Sequence, residues 1–415
     1  MKEEIRARLN NPRQLELLYR SDRKGFEDAF NLLYPELAEH IVADCWNERL
    51  NYSGREVISS GSRKELLFVL VAALLAGLIA KLPALLSIDE DFFYPRNIGF
   101  IVFPLLTIYF AWKRRLSLRQ GASVGAMTLI SLVFINLLPN TKQSDTLILA
   151  CIHLPIVLWF TLGYAFAGGY RNHIEKRLAY LTYNGDLIVM TTLILIAGML
   201  LSGITVGLFS LIGLDIGEFY FQNIGVCGAA AAPIVAGYLT QANPGLVGRV
   251  SPVIARIFTP LVLAMLLIYL TAIVYSGKNP YNDREFLLIF NVLLVGVLAI
   301  IFFSIIEMSK RGKSRLGTAM LSALAILTMV VNAIALSAIL MRIAEWGITP
   351  NRIAVLGSNV LVLVNLVLVT GQLLRAHSGK IELTRAASAI VRYMPIYLLW
   401  ALVVTFLFPF LFGFR

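Results

Sequence analysis

The sequence predicts an all-α protein, a polytopic transmembrane helix bundle with about eleven spans and a small N-terminal cytoplasmic helical domain. Of its 415 residues, 58% are hydrophobic and 15% are charged, whereas about a quarter of the residues in a soluble domain are charged. Residues 1–65 hold 23 of the 61 Asp, Glu, Lys and Arg residues. This uneven charge predicts two domains, a cytoplasmic helical domain with its linker at 1–64 and a transmembrane bundle at 65–415.

The N-terminal domain is expected to contain about three short helices. Asn11 and Pro12 have the residue types of an N-cap followed by Pro at the first helical position. Ser21 is the expected cap of a second helix, whose buried face comprises Phe26, Phe30 and Leu33. A third helix is expected from Pro35, with an apolar stripe of Leu37, Ile41, Cys45, Trp46 and Leu50. Three such helices bury a small core, so this domain is expected to dock on the membrane body, another subunit or a partner.

Eleven apolar segments follow, each long enough or nearly long enough to cross about 30 Å of hydrocarbon, which takes ~20 helical residues. They lie near 65–87, 97–112, 121–138, 146–168, 186–211, 223–241, 257–276, 286–308, 316–341, 353–374 and 393–414. In the sixth segment, small residues recur every fourth position, which favours close approach of a neighbouring helix. These are Gly225, Ala229 and Gly237, with Pro233 in the same register.

Basic residues orient these segments. With the N-terminus inside, the cytoplasmic loops and helix ends carry 17 Lys and Arg residues and the outer side carries 7, Arg96 among them. Lys and Arg concentrate on the cytoplasmic side of membrane proteins, so the N-terminus is predicted inside and the C-terminus outside. Because the net charge of +11 sits at span ends, no nucleic-acid partner is expected. The outer loops are short, which confines function on that side to the helix ends and the bundle interior.

Two ionisable residues inside spans are candidates for binding a substrate or ion, since such groups are costly in a bilayer. Lys81 lies beyond the middle of the first span, next to Pro83. It either faces a cavity as a substrate-binding or ion-coupling charge, or extends along the helix to the headgroups. His153 in the fourth span is either a proton relay or a hydrogen-bonding partner of a neighbouring helix.

Two outer loops mix both charge signs with turn residues, GKNPYNDRE at 277–285 and RIAEWGITPNR at 342–352. If the loops meet, Arg284, Arg342 and Arg352 are candidates to bind an anionic headgroup or solute, with Glu345 orienting them. The alternative is a lattice of salt bridges between the loops that closes the outer face.

Several catalytic signatures are absent from the sequence. It contains no G-x-x-x-x-G-K-[ST] or H-E-x-x-H motif. Cys45, Cys151 and Cys227 have no paired spacing. No catalytic residue, metal site or cofactor is therefore predicted, and an enzyme is the least favoured class.

The chain resembles a bacterial family of polytopic membrane proteins described only as a domain of unknown function. The resemblance rests on PLVLAMLLIYLTAIVYSG at 260–277, on EWGITPNR at 345–352 and on the leader PRQLELLYRSDRKGFEDAFNLLYPE at 12–36, which is similar to the N-terminal extension of Bacteroidetes-type members. It implies a location in the bacterial inner membrane and supplies no catalytic residues.

These observations favour a transporter or a lipid- or solute-handling protein, because short loops leave the bundle itself as the functional part. The expected contacts are the lipid bilayer and a small solute or lipid headgroup, and a homo-oligomer is compatible with the sequence. A second hypothesis is a membrane-anchored scaffold or signalling component that recruits a cytoplasmic protein through residues 1–60.

Overall fold

Helices make up almost all of the chain that the structure, a computed structural model, describes, and those residues include no strand. The described residues are 1–9, 11–37, 40–51, 63–140, 144–169, 174–211, 214–242, 259–264, 266–268, 270–271, 284–311 and 315–414. The chain divides into two units, Met1–Ser60 and Gly61–Arg415. Residues 52–62, where the sequence NYSGREVISSGS at 51–62 predicts the linker, lie outside the described residues.

The described part of the first unit contains four helices rather than the predicted three. They are α1 (Lys2–Ala7), α2 (Pro12–Ser21), α3 (Arg23–Leu37) and α4 (Ile41–Asn51). Asn11 caps α2 as predicted, because its side chain accepts a hydrogen bond from the backbone N–H of Gln14 at 3.3 Å. Asp22, not Ser21, accepts a hydrogen bond in the first turn of α3, from the N–H of Gly25 at 3.0 Å.

The core of this unit is aromatic and apolar. Phe26, Phe30 and Leu33 are buried, which confirms the predicted face of α3. The predicted stripe of the next helix was wrong in part, since Ile41 is 78% exposed and Cys45 is also exposed. The helix begins at Ile41 rather than Pro35, and its buried residues are Trp46, which the predicted stripe includes, and Ala43, which it does not. Trp46 packs against Phe26 with ring centroids 5.0 Å apart.

The second unit begins with α5 (Arg63–Leu86), α6 (Glu90–Lys113), α7 (Leu118–Leu137), α8 (Asp145–Ala167) and α9 (Ile174–Leu211). Next come α10 (Gly217–Ala242), which contains a π-helical turn at Phe221–Gly225, and the shorter apolar helix α11 (Thr259–Ile268). The last four are α12 (Arg284–Arg311), α13 (Arg315–Trp346), α14 (Pro350–His377) and α15 (Thr384–Leu411), with a π-helical turn at Val403–Leu407 in α15.

Ten of the eleven predicted spans coincide with one of these helices, and the seventh, at 257–276, overlaps α11 but lies partly outside the described residues. Nine of the helices in the described part of the chain are long and apolar enough to cross a membrane, and two shorter apolar helices lie at Thr259–Ile268 and Leu293–Ser309. Several helices extend beyond the predicted segments. For example, α6 begins at Glu90, since Asp89 caps it and Glu90 and Asp91 stabilise the positive end of the helix dipole.

Large apolar side chains cover the outside of the bundle as well as its interior. Leu74, Leu137, Leu201 and Ile268 are each more than 60% exposed, and they lie on four different helices. An aqueous protein rarely exposes so much contiguous apolar surface, whereas hydrocarbon solvates it and helices satisfy their own backbone hydrogen bonds there. The fold is that of a multi-pass membrane protein.

The interior holds two large apolar cores. One is built mainly from α5, α6, α8, α9 and α10, and includes Phe110, Leu162 and Tyr183. The other is built mainly from α12, α13, α14 and α15, and includes Leu321 and Leu366. Helix α15 contributes to both, through Val391 in the first core and Ile390 in the second.

Candidate functional site

An open cleft of about 630 Å³ lies between α5, α6 and α10, and we name it the Lys81 cleft. Its polar lining residues are Lys81, Glu90, Tyr94 and Gln222. Its apolar lining residues are Ala80, Ala84, Ile98, Ile101, Val102, Val226, Ala229 and Ala230. The volume is within the range of small-molecule binding sites, and the lining combines a cation and a carboxyl group with an apolar wall.

Lys81 reaches across the cleft to a neighbouring helix. Its Nζ donates a hydrogen bond to the carbonyl oxygen of Gln222 in α10 at 2.9 Å, and the side chain is half-buried. Among the described residues Lys81 forms no ion pair. An ammonium group carries three N–H donors, so the bond to Gln222 leaves donors for a ligand in the cleft.

The backbone around Gln222 is unusual. Gln222 belongs to the π-helical turn Phe221–Gly225, and such turns are frequent at functional sites because they alter the regular i→i−4 pattern. The Gln222 side chain donates through Nε2 to Glu218 Oε1 at 3.0 Å, which holds it along its own helix. The backbone carbonyl oxygen of Gln222 is the atom that accepts the hydrogen bond from Lys81.

Small residues bring α5 and α10 together about one helical turn from Lys81. A Cβ added to Gly77 would lie 3.2 Å from both Cβ and Sγ of Cys227. Ala76 and Ala80 of α5 are fully or nearly fully buried on the same helix. The predicted close approach in the sixth segment is also seen at Gly237, where a Cβ would come within 2.9 Å of Leu106 and Tyr183.

Tyr94 closes the cleft on the side of α6. Its hydroxyl donates to the carbonyl oxygen of Ala80 at 3.0 Å, which joins α6 to α5 at the cleft. Glu90, one turn earlier on α6, is exposed at the helix N-terminus. A ligand that carries an anionic group next to an amine or hydroxyl would match Lys81 and Glu90, while its apolar part would match the Ala, Val and Ile lining.

His153 lies elsewhere, on α8. Its Nδ1 is 2.9 Å from the carbonyl oxygen of Leu149 on the same helix, and the ring is half-buried. It does not line the Lys81 cleft. A proton-relay role for His153 stays a prediction.

The predicted outer loop 342–352 was too long, because α13 extends to Trp346 and α14 begins at Pro350. Residues 347–349 connect the two helices, while Arg342 and Glu345 lie within α13 and Arg352 lies within α14. Gly347 has φ +76 directly after the last residue of α13, the conformation that commonly ends a helix. Thr349 caps α14 with its side chain, and Pro350 occupies the first helical position. The segment EWGITPNR at 345–352 therefore has the chemistry of a tight helix-to-helix turn.

Arg342 and Arg352 both approach Trp346 in this turn. Their guanidinium carbons lie 5.4 and 5.7 Å from the Trp346 ring centroid. Arg352 also donates from Nη1 to the carbonyl oxygens of Trp346 at 2.8 Å and Gly347 at 2.6 Å. Glu345 is exposed. The side chain of Arg284 and most of the loop at 277–285 lie outside the described residues, so the predicted outer anion site stays a prediction.

The predicted second span, 97–112, leaves Arg96 outside the helix, and that boundary was wrong. Arg96 lies within α6 and is 3% exposed. Its guanidinium packs 4.1 Å from the Phe92 ring centroid and donates to Asn140 Oδ1 at 3.3 Å. The Asp89 cap and the acidic first turn of α6 are the sequence signals from which the longer helix could have been predicted.

Amide side chains join the helices on both sides of the bundle. Asn97 and Asn136 exchange two hydrogen bonds between α6 and α7, at 3.0 and 2.9 Å. Asn359 of α14 donates to Asn291 Oδ1 at 2.9 Å and accepts at its carbonyl oxygen from Asn332 at 3.2 Å. These bonds connect α12, α13 and α14 by groups that hydrocarbon cannot solvate.

Comparison of the chain with protein-family models, with curated proteins and with solved structures found no match.

Proposed function

We propose that this multi-pass protein binds an amphipathic solute or lipid in the Lys81 cleft and moves it across, or within, the bacterial inner membrane. The observation that carries the proposal is the position of Lys81, whose ammonium group lies in an open cleft between three spans. A charge placed in a span is costly, and one that lines a cavity with an apolar wall has the chemistry of a substrate-binding group. The resemblance to a bacterial inner-membrane family supports the location.

The contact with Gln222 favours this reading over a lysine that extends to the headgroups. A lysine in a span can keep its ammonium group in water by extending its side chain along its own helix toward the headgroups. Lys81 instead donates to a carbonyl oxygen on α10, across the cleft. It therefore ties together two helices that also form the walls of the site.

Every helix around the cleft carries an irregularity. Pro83 lies within α5, Pro95 and Pro104 lie within α6, and Pro233 and the π-helical turn lie within α10. Proline removes a backbone hydrogen bond and bends a helix, and discontinuous helices commonly form the binding sites of secondary transporters. These positions supply bends at which the cleft can open and close.

Cysteine labelling tests whether the cleft contains water. The three native cysteines are first replaced by Cys45→Ser, Cys151→Ala and Cys227→Ala, and then Lys81→Cys or Leu78→Cys is introduced. Leu78 lies three residues earlier on α5 and is 52% exposed on the apolar surface. We expect a membrane-impermeant thiol reagent to modify position 81 rapidly and position 78 slowly. Equal, slow modification at both positions would contradict the proposal.

A flux measurement then tests the function itself. The protein is reconstituted in vesicles that contain a fluorescent phosphatidylethanolamine, and its movement between leaflets is followed for Lys81→Met, Lys81→Arg and the unchanged chain. Loss of movement in Lys81→Met with retention in Lys81→Arg is expected. Movement that is unchanged in both variants would remove lipid movement from the proposal.

A scaffold role is the second candidate, and one observation favours it. Leu17, Leu32 and Ile41, from three helices of the first unit, are 61%, 66% and 78% exposed. Such apolar side chains are available to a cytoplasmic protein partner. Deletion of residues 1–60 separates the roles, because a scaffold loses its partner while a transporter keeps its membrane-body activity.

A further inference from the structure

A second open cleft, of about 570 Å³, lies between α14 and α15, and we name it the arginine cleft. Three guanidinium groups line it, from Arg375 on α14 and from Arg385 and Arg392 on α15. The other lining residues are Leu368, Gln372, Ser388, Ala389 and Tyr393, so the residues that line it include no carboxylate. From the sequence alone, these arginines are predicted only to lie on the cytoplasmic side.

The helical spacing explains why the three arginines converge. Arg385 and Arg392 are seven residues apart, which is two helical turns and about 10.5 Å along one face of α15. Gln372 and Arg375 are three residues apart and share a face of α14. The two faces oppose each other because α14 and α15 are consecutive helices joined by a short connection at 378–383.

The protein does not neutralise these charges within the described part of the chain. None of the three guanidinium groups has a hydrogen bond or ion pair there, and all three side chains are exposed to the cleft or its mouth. The nearest carboxyl group in sequence, Glu382, accepts a hydrogen bond from Thr384 at 3.2 Å. By contrast, Lys113 at another helix end is paired with Glu65 at 3.0 Å.

Three like charges around one cleft repel each other, and an anion placed between them removes that repulsion. A guanidinium group binds phosphate through paired N–H donors, and Arg is the side chain best suited to that geometry. Gln372, Ser388 and Tyr393 add neutral hydrogen-bonding groups to the lining. The chemistry fits a phosphate group that carries one or more negative charges.

The surroundings of the cleft indicate a lipid source for that phosphate. Leu368 lines the cleft and is 49% exposed on the apolar surface of α14, two turns further into the span than Arg375. Arg392 lies about 12 Å along α15 from its first residue. Basic pockets between spans on the cytoplasmic side are suited to anionic lipid headgroups. We infer that the arginine cleft binds the phosphate of an anionic phospholipid.

The inference is independent of the Lys81 cleft, which lies between different helices at the ends predicted to be outside. The competing explanation is that the arginines only orient the helices during insertion. In that case any equally charged set of exposed basic residues on the same side would attract anionic lipid equally well. A charge-matched control therefore decides between the two.

Lipid binding to the full chain in detergent is measured by native mass spectrometry, with phosphatidylglycerol and with phosphatidylcholine of the same acyl chains. The test variant is Arg375→Gln/Arg385→Gln/Arg392→Gln. The control variant is Arg63→Gln/Arg115→Gln/Arg119→Gln, which removes three exposed charges from the side that is also predicted cytoplasmic. Singly substituted Arg385→Gln and Arg392→Gln are measured alongside, since each changes one exposed side chain and should leave the gel-filtration profile unchanged.

We expect phosphatidylglycerol to bind the test variant about 100-fold more weakly, at about fivefold for each arginine, and the control variant with less than a twofold change. Each single variant should bind phosphatidylglycerol about fivefold more weakly than the unchanged chain. Phosphatidylcholine binding should be the same in all of them. Equal losses in the test and control variants, or full binding in the test and single variants, would overturn the inference.

A second measurement separates a lipid from a soluble phosphate compound. Inorganic phosphate at millimolar concentration is added to the lipid-free protein, and the melting temperature is recorded. A bound phospholipid predicts no rise with phosphate and a rise of several degrees with phosphatidylglycerol. A rise with phosphate that disappears in the test variant would assign the cleft to a soluble phosphate compound and overturn the lipid assignment.

Discussion

Gly77 of α5 and Cys227 of α10 meet so closely that a Cβ on Gly77 would lie 3.2 Å from the Cys227 sulfur. The thiol in turn lies 3.8 Å from the Gly77 carbonyl oxygen. Gly77 lies one helical turn before Lys81 on α5, and Lys81 donates a hydrogen bond to the carbonyl oxygen of Gln222 on α10. The absence of a side chain at Gly77 therefore allows α5 and α10 to approach closely enough for the bond across the cleft.

Gly77→Leu is expected to separate the two helices. Overpacking of a tight contact costs about 1–3 kcal/mol, so the purified protein should melt several degrees lower, and Lys81→Cys in this background should become more accessible to thiol reagents. Gly125→Leu is the matched control, because nothing lies within 4 Å of a Cβ at that helical glycine. There the replacement of glycine improves helix propensity by up to about 1 kcal/mol. Equal melting temperatures for the two variants would contradict the proposed contact.

Arg352→Gln is expected to destabilise the turn between α13 and α14. Arg352 donates to the carbonyl oxygens of Trp346 and Gly347 at the end of α13, and loss of charged hydrogen bonds costs about 1.5–3 kcal/mol. The melting temperature of the purified protein should fall, whereas Glu345→Gln, at an exposed neighbouring position, should leave it unchanged. The opposite pattern, with unchanged melting but lost binding of an anionic lipid, would support the outer anion site that the sequence predicts.

Glu16 is expected to make the first unit sensitive to acid. Arg49 Nη1 donates to Glu16 Oε2 at 2.5 Å and Arg20 Nε donates to Glu16 Oε1 at 2.8 Å, and together these bonds lower the pKa of Glu16 to about 2. Because the folded state holds the carboxylate charged, its stabilising effect is complete above the ordinary Glu pKa of about 4.5. It is lost as the pH falls from there toward 2.

The measurement uses the fragment 1–60, in which Trp46 is the single tryptophan. Its burial against Phe26 makes its fluorescence report on folding. Glu16→Gln should lower the urea midpoint at pH 7, and its difference from the unchanged fragment should vanish near pH 2. Asp28→Asn, which alters an exposed carboxyl group, is the charge-matched control. A difference between Glu16→Gln and the unchanged fragment that is the same at both pH values would show that the ion pairs with Arg49 and Arg20 are not its source.

The helices of the bundle were predictable because the sequence alone carries their signal. Hydropathy over about 20 residues reports the cost of transferring each segment into hydrocarbon, and that cost depends little on neighbouring helices. The same is true of local caps such as Asn11, whose partner lies three residues away. The start of α6 was predicted too late. Hydropathy alone does not show whether a polar residue at the end of an apolar segment, such as Arg96, still belongs to the helix.

The candidate sites were predictable only in part. Lys81 stood out because a charge in a span is rare, but its partner Gln222 is 141 residues away, and no local spacing connects them. The arginine cleft was not predicted at all. Arg375, Arg385 and Arg392 are ordinary basic residues at the ends of spans in the sequence, and they become a cluster only when α14 and α15 oppose their faces.

By itself the sequence determined that this protein is a multi-pass helical membrane protein, with a charged helical unit at its N-terminus and eleven apolar segments in order. Tertiary structure alone decided which way each helix is rotated, and therefore that Lys81 faces a cleft and that three arginines share another. The physical reason is that hydrophobicity around these helices is nearly uniform, so it sets their depth in the bilayer but not their rotation. Rotation is decided by close contacts such as Gly77 against Cys227.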